Sequence, residues 1–330
     1  MQDALSMDYV RADEVADYLE QRAGKVLGVV AFGADVRQLA LQPAPLWVDI
    51  PLLGGYDTSF EIWSSSDPVT PCNHGDISGA ADGRVLFGSL QLEQAPGDTL
   101  ETLAERAYTG IFNFTERQGY PHLLRVWHYF PQINDPEHGL ERYRCFNVGR
   151  HDAFVASGRG IGEESVPAAS ALGSNSGPLV MYFLAGKQPG KAVENPRQVS
   201  AYRYPELFGP RSPAFVRAML ATFGRQQSFF ISGTASIVGY ETLHQGDVQG
   251  QTGETLRNIR ALMQQLPSHA SKGRMLLKAY IRYAADLPQI RAQIESEFGT
   301  DCKTVYLQSN ICRSDLLLEI EGVHFSDMQP

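Results

Sequence analysis

The order of the predicted elements repeats within this chain of 330 residues. A run typical of a strand precedes an amphipathic helix, a second strand, a second helix and two final strands, and this order occurs twice. The strand-like runs are residues 85–92, 122–130, 166–172 and 179–186 in the first copy, and 229–236, 275–284, 302–311 and 316–325 in the second. Such a duplication predicts an α+β fold made of two similar units, each with helices packed on one face of a mixed sheet.

The first helix of each copy carries one apolar face. In the first copy, apolar side chains recur three or four residues apart, for example at Leu103, Ala107 and Ile111. We predict Asp98 as the N-cap of this helix and Asp247 as the N-cap of its counterpart, because a short acidic side chain can accept the free N–H groups of a first turn.

The two copies are joined by a connector rich in proline and arginine, at about residues 189–225. The first 84 residues are interpreted as an extension of strands and turns. We therefore divide the chain into residues 1–190, the extension with a degenerate first unit, and residues 191–330, the second unit. Pockets favour domain interfaces, so the junction is expected to hold a cleft. Because both units belong to one chain, we predict a monomer.

Composition narrows the class of function. The formal net charge is -9, which argues against a general role on nucleic acid, since phosphate binding needs a basic face. The N-terminal segment has no apolar core of a signal peptide, and the apolar runs are too short to span a bilayer. The four cysteines lack paired spacing and are expected to be free thiols. Together these features predict a cytoplasmic protein that acts on a small molecule.

The last strand, LLLEIEGVHF, carries the first candidate for chemistry. Side chains alternate between the faces of a strand, so Glu319 and Glu321 share one face with Leu317 and Val323. A carboxyl group buried in such a place has a raised pKa and can act as a general acid near neutrality. The alternative is a solvated sheet face with two exposed glutamates.

Basic residues gather in an otherwise acidic chain. Within the connector, the stretch 195–226 holds five arginines and one acid, Glu206. Arginine is suited to a bidentate grip on carboxylates, so Arg211 and Arg217 are candidate substrate-binding residues. Tyr204 could add a hydroxyl donor, and Arg150 is a further candidate in the first unit. The alternatives are a solvated connector, or arginines that bridge the two units structurally.

The candidate motifs for binding a cofactor or a metal are incomplete. No Walker lysine loop is present, and the glycines at 158, 160 and 162 follow a helix-like run where a dinucleotide loop needs a strand. Cys72 and His74 have no second pair at metal-ligand spacing. We therefore predict neither a cofactor nor a metal.

Several motifs in the second half resemble the YjgF/RidA family. They are SGTAS, QTGETLRNI and DLLLEIEGV, within about residues 229–325. The whole chain resembles the chorismatases more closely, through CFNVGR, SAYRYPELFGPRSP, ISGTASIVG, GQTGETLRNI and CRSDLLLEIEG. In that family a degenerate RidA-like first half is fused to a clearer second half. The resemblance implies a fold of two YjgF/RidA-like units, with the active site carried by residues 191–330.

The resemblance also implies an activity. Chorismatases remove pyruvate from chorismate without a metal or redox cofactor, and the glutamate that matches Glu319 is the essential acid. Two further positions, Gly233 and Cys312, differ among family members, and glycine with cysteine is typical of the type that forms a hydroxybenzoate. Alanine at both positions is typical of the type that forms a dihydrodiol. Taken alone, a lone cysteine such as Cys312 is more often a small buried hydrophobe.

Three alternatives stay open at this stage. The product can be 3-hydroxybenzoate, 4-hydroxybenzoate, both, or a dihydrodiol. A RidA-like imine deaminase is a second enzyme class, although Arg313 does not clearly align with the arginine of that family. A module that binds a small acid without catalysis would use the same arginines.

Overall fold

The computed structural model describes residues 4–55, 58–267 and 273–328. The helices of this part of the chain are α1 (Val15–Gln21), α2 (Leu100–Gln118), α3 (Arg142–Ala156), α4 (Val248–Met263) and α5 (Leu287–Phe298), with short 3-10 helices at Ala201–Arg203, Glu206–Phe208 and Ala284–Asp286. The strands are β1 (Leu5–Arg11), β2 (Val26–Gly33), β3 (Leu46–Val48), β4 (Leu52–Leu53), β5 (Thr58–Ser65), β6 (Thr70–His74), β7 (Ile77–Ala81), β8 (Val85–Leu92), β9 (His122–Pro131), β10 (Pro136–Glu137), β11 (Leu140–Glu141), β12 (Ala168–Ser174), β13 (Leu179–Gly186), β14 (Lys191–Val193), β15 (Ala218–Phe223), β16 (Gln226–Thr234), β17 (Ile237–Val238), β18 (Glu241–Thr242), β19 (Arg274–Ile281), β20 (Lys303–Gln308) and β21 (Leu318–Asp327).

The two large sheets have the same topology. The first sheet has the order β12-β9-β13-β8-β7-β6, and the second has the order β20-β19-β21-β16-β15-β14, with β4 added beyond β20. In each sheet, the strand after the first helix of the repeat pairs in parallel with the strand after the second helix. These pairs are β9 with β12 and β19 with β20. The strand that closes each repeat, β13 or β21, lies antiparallel between its neighbours. The predicted α+β class with two YjgF/RidA-like units is therefore confirmed.

Each repeat unit is longer than its sequence pattern indicated. The hairpin strands β6 and β7 precede β8, and β14 and β15 precede β16. The residues of β6 and β7 were predicted to belong to the extension and those of β14 and β15 to the connector, and this prediction was wrong. The reason is that β6 is an exposed edge strand and β14 has only three residues, so neither shows the alternation that marks a half-buried strand.

The helix starts follow local hydrogen bonding. Helix α2 is capped by Thr99, whose hydroxyl accepts the N–H of Thr102, so the prediction of Asp98 was wrong by one residue. Asp98 instead accepts the N–H of Ala95 in the preceding turn. Asp247 does cap α4, accepting the N–H of Gly250 at 3.1 Å, as predicted. No helix among the described residues is long and apolar enough to cross a membrane.

The two sheets face each other, and the helices lie outside them. On β9, His128 and Phe130 contact α2 and α3, whereas Trp127 and Tyr129 point toward the second sheet. On β21 the even-numbered residues Leu318 and Ile320 join the core under α4 and α5. The odd-numbered side chains of β21 therefore enter the layer between the sheets.

The extension closes one end of this layer. Its own sheet has the order β1-β5-β2-β3. Trp63 of β5 packs on Trp127 with ring centroids 5.7 Å apart, and Glu61 of β5 forms an ion pair with Lys278 of β19 at 2.7 Å. The extension is therefore part of the main core. The four cysteines are free, as expected.

Candidate active site

A cavity of about 470 Å³ lies between the two sheets. Its wall is formed by α3, β12, the connector, the end of β16, β21 and the segment 312–316. The wall therefore draws on both repeat units, as the predicted cleft at their junction requires. Among the predicted site residues, the cavity is lined by Arg150, Tyr204, Arg217, Gly233, Cys312 and Glu319.

Glu319 lies buried at the cavity wall. Glu319 is 4% exposed and Glu321 is 2% exposed, so the alternative of a solvated sheet face is wrong. Burial, followed by repulsion from Glu321, raises the pKa of Glu319 to about 8. This confirms the expected raised pKa, although the neighbours are more polar than the sequence pattern indicated. At neutral pH the carboxyl group is therefore protonated and can donate its proton.

Gly233 leaves the space that this carboxyl group occupies. A Cβ atom built on Gly233 would lie 1.9 Å from Oε1 of Glu319 and 3.2 Å from Cβ of Ser170. The first distance is far below any van der Waals contact, so an alanine here would displace the acid. Gly233 was predicted as a site residue by resemblance, and the structure supplies a steric reason for glycine at this position.

Cys312 lies on the other side of the carboxyl group. Its Sγ atom donates a long hydrogen bond of 3.9 Å to Oε2 of Glu319. Burial, followed by the charge of Glu319, raises the pKa of the Cys312 thiol far above its usual range. A neutral thiol is a weak donor and not an activated nucleophile, so its place in the wall is consistent with shaping the pocket.

Two buried arginines of the cavity wall each have an Nε–H group that makes no hydrogen bond within the described residues. Arg150 is 2% exposed, donates to Oδ1 of Asn147 at 2.7 Å and has no partner for Nε among the described residues. Arg217 is 4% exposed and donates to the carbonyl of Val199 and the hydroxyl of Tyr204, both at 2.8 Å. Its Nε also has no partner within the described residues. Buried guanidinium groups with free donors favour an anionic ligand.

The structure does not bring Arg211 into the cavity. Its side chain is 50% exposed, and its Nε lies 3.9 Å from a carboxylate oxygen of Asp152. Arg211 is therefore not a lining residue of the cavity, and its prediction as a substrate-binding residue was wrong.

Two arginines that line the cavity were not predicted from the sequence. Arg144 and Arg313 both line the cavity, and Arg313 stacks on the ring of Phe208 at 4.3 Å from its centroid. Arg313 directly follows Cys312, and this adjacency was an available signal. Tyr143 was also missed, although it shares a helical face with Arg150 at i and i+7.

This arrangement suits the delivery of a proton to a small anion held in the cavity. One protonated carboxyl group lies beside a neutral thiol, and guanidinium groups surround the remaining space. Such a cavity suits a small compound with more than one carboxylate, held by arginine while a proton is delivered to it.

This chain is similar to several known proteins. A protein-family model described as "Chorismatase FkbO/Hyg5-like, N-terminal" matches residues 61–185. A chorismatase of Streptomyces rapamycinicus is 37% identical over 280 residues, covering 81% of this chain and 83% of the relative. A 3-hydroxybenzoate synthase of Streptomyces hygroscopicus is 35% identical over 313 residues, covering 90% of this chain and 91% of the relative.

A solved structure extends the likeness to the fold. The crystal structure of a chorismatase superimposes with a TM-score of 0.87 and 29% identity, and covers 97% of this chain and 98% of its own. The resemblance read from the sequence motifs thus holds over nearly the whole length. Given relatives above 30% identity across most of its length, this chain belongs to the chorismatase family of enzymes.

Proposed function

We propose that this enzyme cleaves the enolpyruvyl ether of chorismate to pyruvate and a hydroxybenzoate. The observation that carries the proposal is the buried carboxyl group of Glu319, with its raised pKa, in the wall of a cavity that Arg150 and Arg217 also line. Chorismate has two carboxylates and one acid-labile enol ether, so it matches both halves of this arrangement. The names of two relatives, a chorismatase and a 3-hydroxybenzoate synthase, support the same substrate.

The reaction begins with a proton transfer to carbon. Glu319 delivers its proton to the methylene carbon of the enolpyruvyl group and becomes a carboxylate. An oxygen nucleophile adds to the resulting oxocarbenium ion, and breakdown of this adduct releases pyruvate. Arg150 and Arg217, with Tyr204, hold the two carboxylates and so orient the ring. Cys312 and Gly233 shape the pocket around the acid.

The nucleophile determines the ring product. When water attacks and the ring keeps both hydroxyl groups, one water is consumed and a dihydrodiol results. When the C4 hydroxyl or a ring carbon of the substrate participates instead of water, one of the two ring oxygens leaves as the keto oxygen of pyruvate and the other stays on the ring. Loss of a ring proton then gives the aromatic acid without consuming water. The pair Gly233 and Cys312 resembles the hydroxybenzoate-forming type, and one relative is a 3-hydroxybenzoate synthase. We therefore propose 3-hydroxybenzoate as the main product, alone or with 4-hydroxybenzoate.

One assay tests this function directly. Purified protein is incubated with chorismate, pyruvate is quantified and the ring product is identified by chromatography against all three standards. Pyruvate with an equal amount of hydroxybenzoate is the expected result, and a dihydrodiol would correct the product. Tight chorismate binding without pyruvate would instead support a binding module. Turnover of freshly generated 2-iminobutyrate, with chorismate untouched, would support an imine deaminase.

The pH dependence follows from the raised pKa of Glu319. The acid must be protonated, so kcat/KM should be constant below its pKa of about 8 and fall as the pH rises through that value. On the alkaline side the decline should approach about tenfold per pH unit, as for a single essential acid. The profile is measured by coupling pyruvate release to NADH oxidation with the coupling enzyme in excess. A value of kcat/KM that rises through this range would rule out Glu319 as the acid.

Substitution of Gly233 should displace the acid without unfolding the protein. In Gly233→Ala the new Cβ collides with the end of the Glu319 side chain, which can swing away, so the fold is kept. We expect kcat/KM to fall about 10- to 100-fold, because a displacement of about 1 Å costs this much. Gly162→Ala is the matched control, since no atom lies within 4 Å of a Cβ built there, and it should retain full activity. Equal activity of Gly233→Ala and Gly162→Ala would contradict the steric argument.

A further inference from the structure

A buried cluster of charges lies directly behind the cavity. Glu321 is its centre, and the side chain of Lys278 lies 2.9 Å from Oε1 of Glu321. The guanidinium of Arg125 and the hydroxyl of Ser170 both bind Oε2. The indole N–H of Trp127 donates to Oε1 at 2.8 Å. Both lone-pair regions of this carboxylate are thus satisfied without water, and two cations neutralise it.

Three sheets supply the members of this cluster. Arg125 and Ser170 come from the first sheet, and Lys278 and Glu321 are register partners in the second. The extension adds Glu61, which binds the other side of Lys278 at 2.7 Å. Each charged member is at most 2% exposed. A buried charge that lost its partner would be strongly unfavourable, so the cluster holds Glu321 as an anion.

This anion is placed next to the acid. Glu319 and Glu321 are two residues apart on β21 and share one face, so their Cα atoms are roughly 7 Å apart. Ser170 links the two places, because it binds Glu321 and also lines the cavity beside Gly233. Tyr280, the register partner of Glu319, also donates to Oε1 of Glu321, at 3.2 Å.

The other groups around Glu319 act more weakly or in the opposite direction. Arg125 on β9 and Arg217 on the connector favour its charged form, as does the hydrogen bond from Cys312. Tyr143 and Arg150 face it from α3. After burial, the charge of Glu321 is the largest influence, and it opposes ionisation of Glu319. The two carboxyl groups therefore have separate states, one charged and one protonated.

The pKa of Glu321 moves in the direction that this geometry requires. Burial alone would raise the pKa of Glu321, but Lys278 and Arg125 outweigh burial and hold it below its usual range. Repulsion between two buried carboxylates can be relieved by protonating only one of them. Since Glu321 has the cations, Glu319 retains the proton.

We propose that Glu321 is a positioning residue that keeps Glu319 loaded with the proton it donates, through the ion cluster with Lys278 and Arg125. This inference rests on the proposed function, in which Glu319 is the acid. Glu321 does not line the cavity, so it acts on the substrate only through Glu319. The cluster then sets the pH range of the reaction and also joins the three sheets.

The test is the pH profile of Glu321→Gln, with Glu61→Gln as the matched control. Both variants change a buried carboxylate partner of Lys278 into an amide, but only Glu321 lies beside Glu319. In Glu321→Gln the alkaline fall of kcat/KM should move to lower pH by about one unit or more, from the loss of a charge roughly 7 Å away. In Glu61→Gln it should move less than half as far.

The outcomes separate this inference from the proposed function. A folded Glu321→Gln whose profile is unmoved, or moves no further than that of Glu61→Gln, overturns the inference and leaves the function intact. A wild-type profile without the alkaline fall, together with an active Glu319→Gln, overturns both. If Glu321→Gln fails to fold, the double variant Glu321→Gln with Lys278→Met removes one anion and one cation. It should show a smaller downward shift, because the lost cation acts in the opposite direction but influences Glu319 less than Glu321 does. An unmoved profile there also overturns the inference.

Discussion

Glu319→Gln is expected to abolish pyruvate release from chorismate, with a loss of kcat of at least about 10³-fold. The amide has the shape of the acid but no proton to transfer to carbon. Binding should be unaffected, because the arginines that hold the carboxylates are unchanged. The measurement is a single-turnover assay of pyruvate with enzyme in excess, alongside chorismate affinity by calorimetry. Turnover within a few-fold of wild type would remove Glu319 from the mechanism.

A stability measurement provides the control for this variant. Because the folded state raises the pKa of Glu319 from 4.5 to about 8, it binds a proton that the unfolded chain releases in this range. The free energy of unfolding of the wild type therefore falls as the pH rises between these two values. Glutamine cannot titrate, so Glu319→Gln should lose less stability over this range. Denaturant unfolding at several pH values would show a flatter dependence for a correctly folded variant.

Arg217→Met should raise the KM for chorismate about 30-fold or more, since removing one partner of a charge-assisted hydrogen bond costs about 2 kcal/mol or more. Methionine keeps most of the buried volume but removes every donor. The hydroxyl of Tyr204 would also lose its partner, so ring orientation and kcat should decline in addition. Steady-state kinetics on the purified variant, with affinity measured separately, distinguish the two effects.

Arg211→Met is the matched control from the same connector. Arg211 is half exposed and outside the cavity wall, so this change should leave KM and kcat within about twofold of wild type. If these arginines instead bridge the two units structurally, both variants should have a lower melting temperature and an unchanged affinity for chorismate. That result would refute the assignment of Arg217 to substrate binding.

The repeat could be predicted from sequence because its elements carry strong local patterns. The strands of each unit are apolar runs, and α2 and α4 have one apolar face. Hairpin strands β6 and β14 could not be predicted in this way, since they are short or exposed edges whose pairing depends on a neighbour far along the chain. The cap of α2 was misplaced by one residue because Asp98 and Thr99 are both good capping residues, and backbone geometry chooses between them.

The candidate site was also predictable from the sequence only in part. Alternation along β21 places Glu319 and Glu321 on one face, and this holds for any strand. Whether that face meets water or a second sheet is not a local property, and burial decides the charge state of each carboxyl group. Likewise, the composition of the connector predicted an arginine-rich anion site, but the path of the backbone brings Arg217 into the cavity and leaves Arg211 outside.

The sequence by itself thus determined the duplicated α+β plan, the candidate acid and, through its motifs, the family. These properties depend on periodicity and on short contiguous segments, which can be read without knowing the neighbours in space. Only the tertiary structure decided that three sheets meet around Glu321, that Gly233 leaves room for Glu319, and that Arg144 and Arg313 join the cavity wall. Each of these depends on contacts between residues far apart in the chain, because solvation and charge are set by the full surroundings of a side chain.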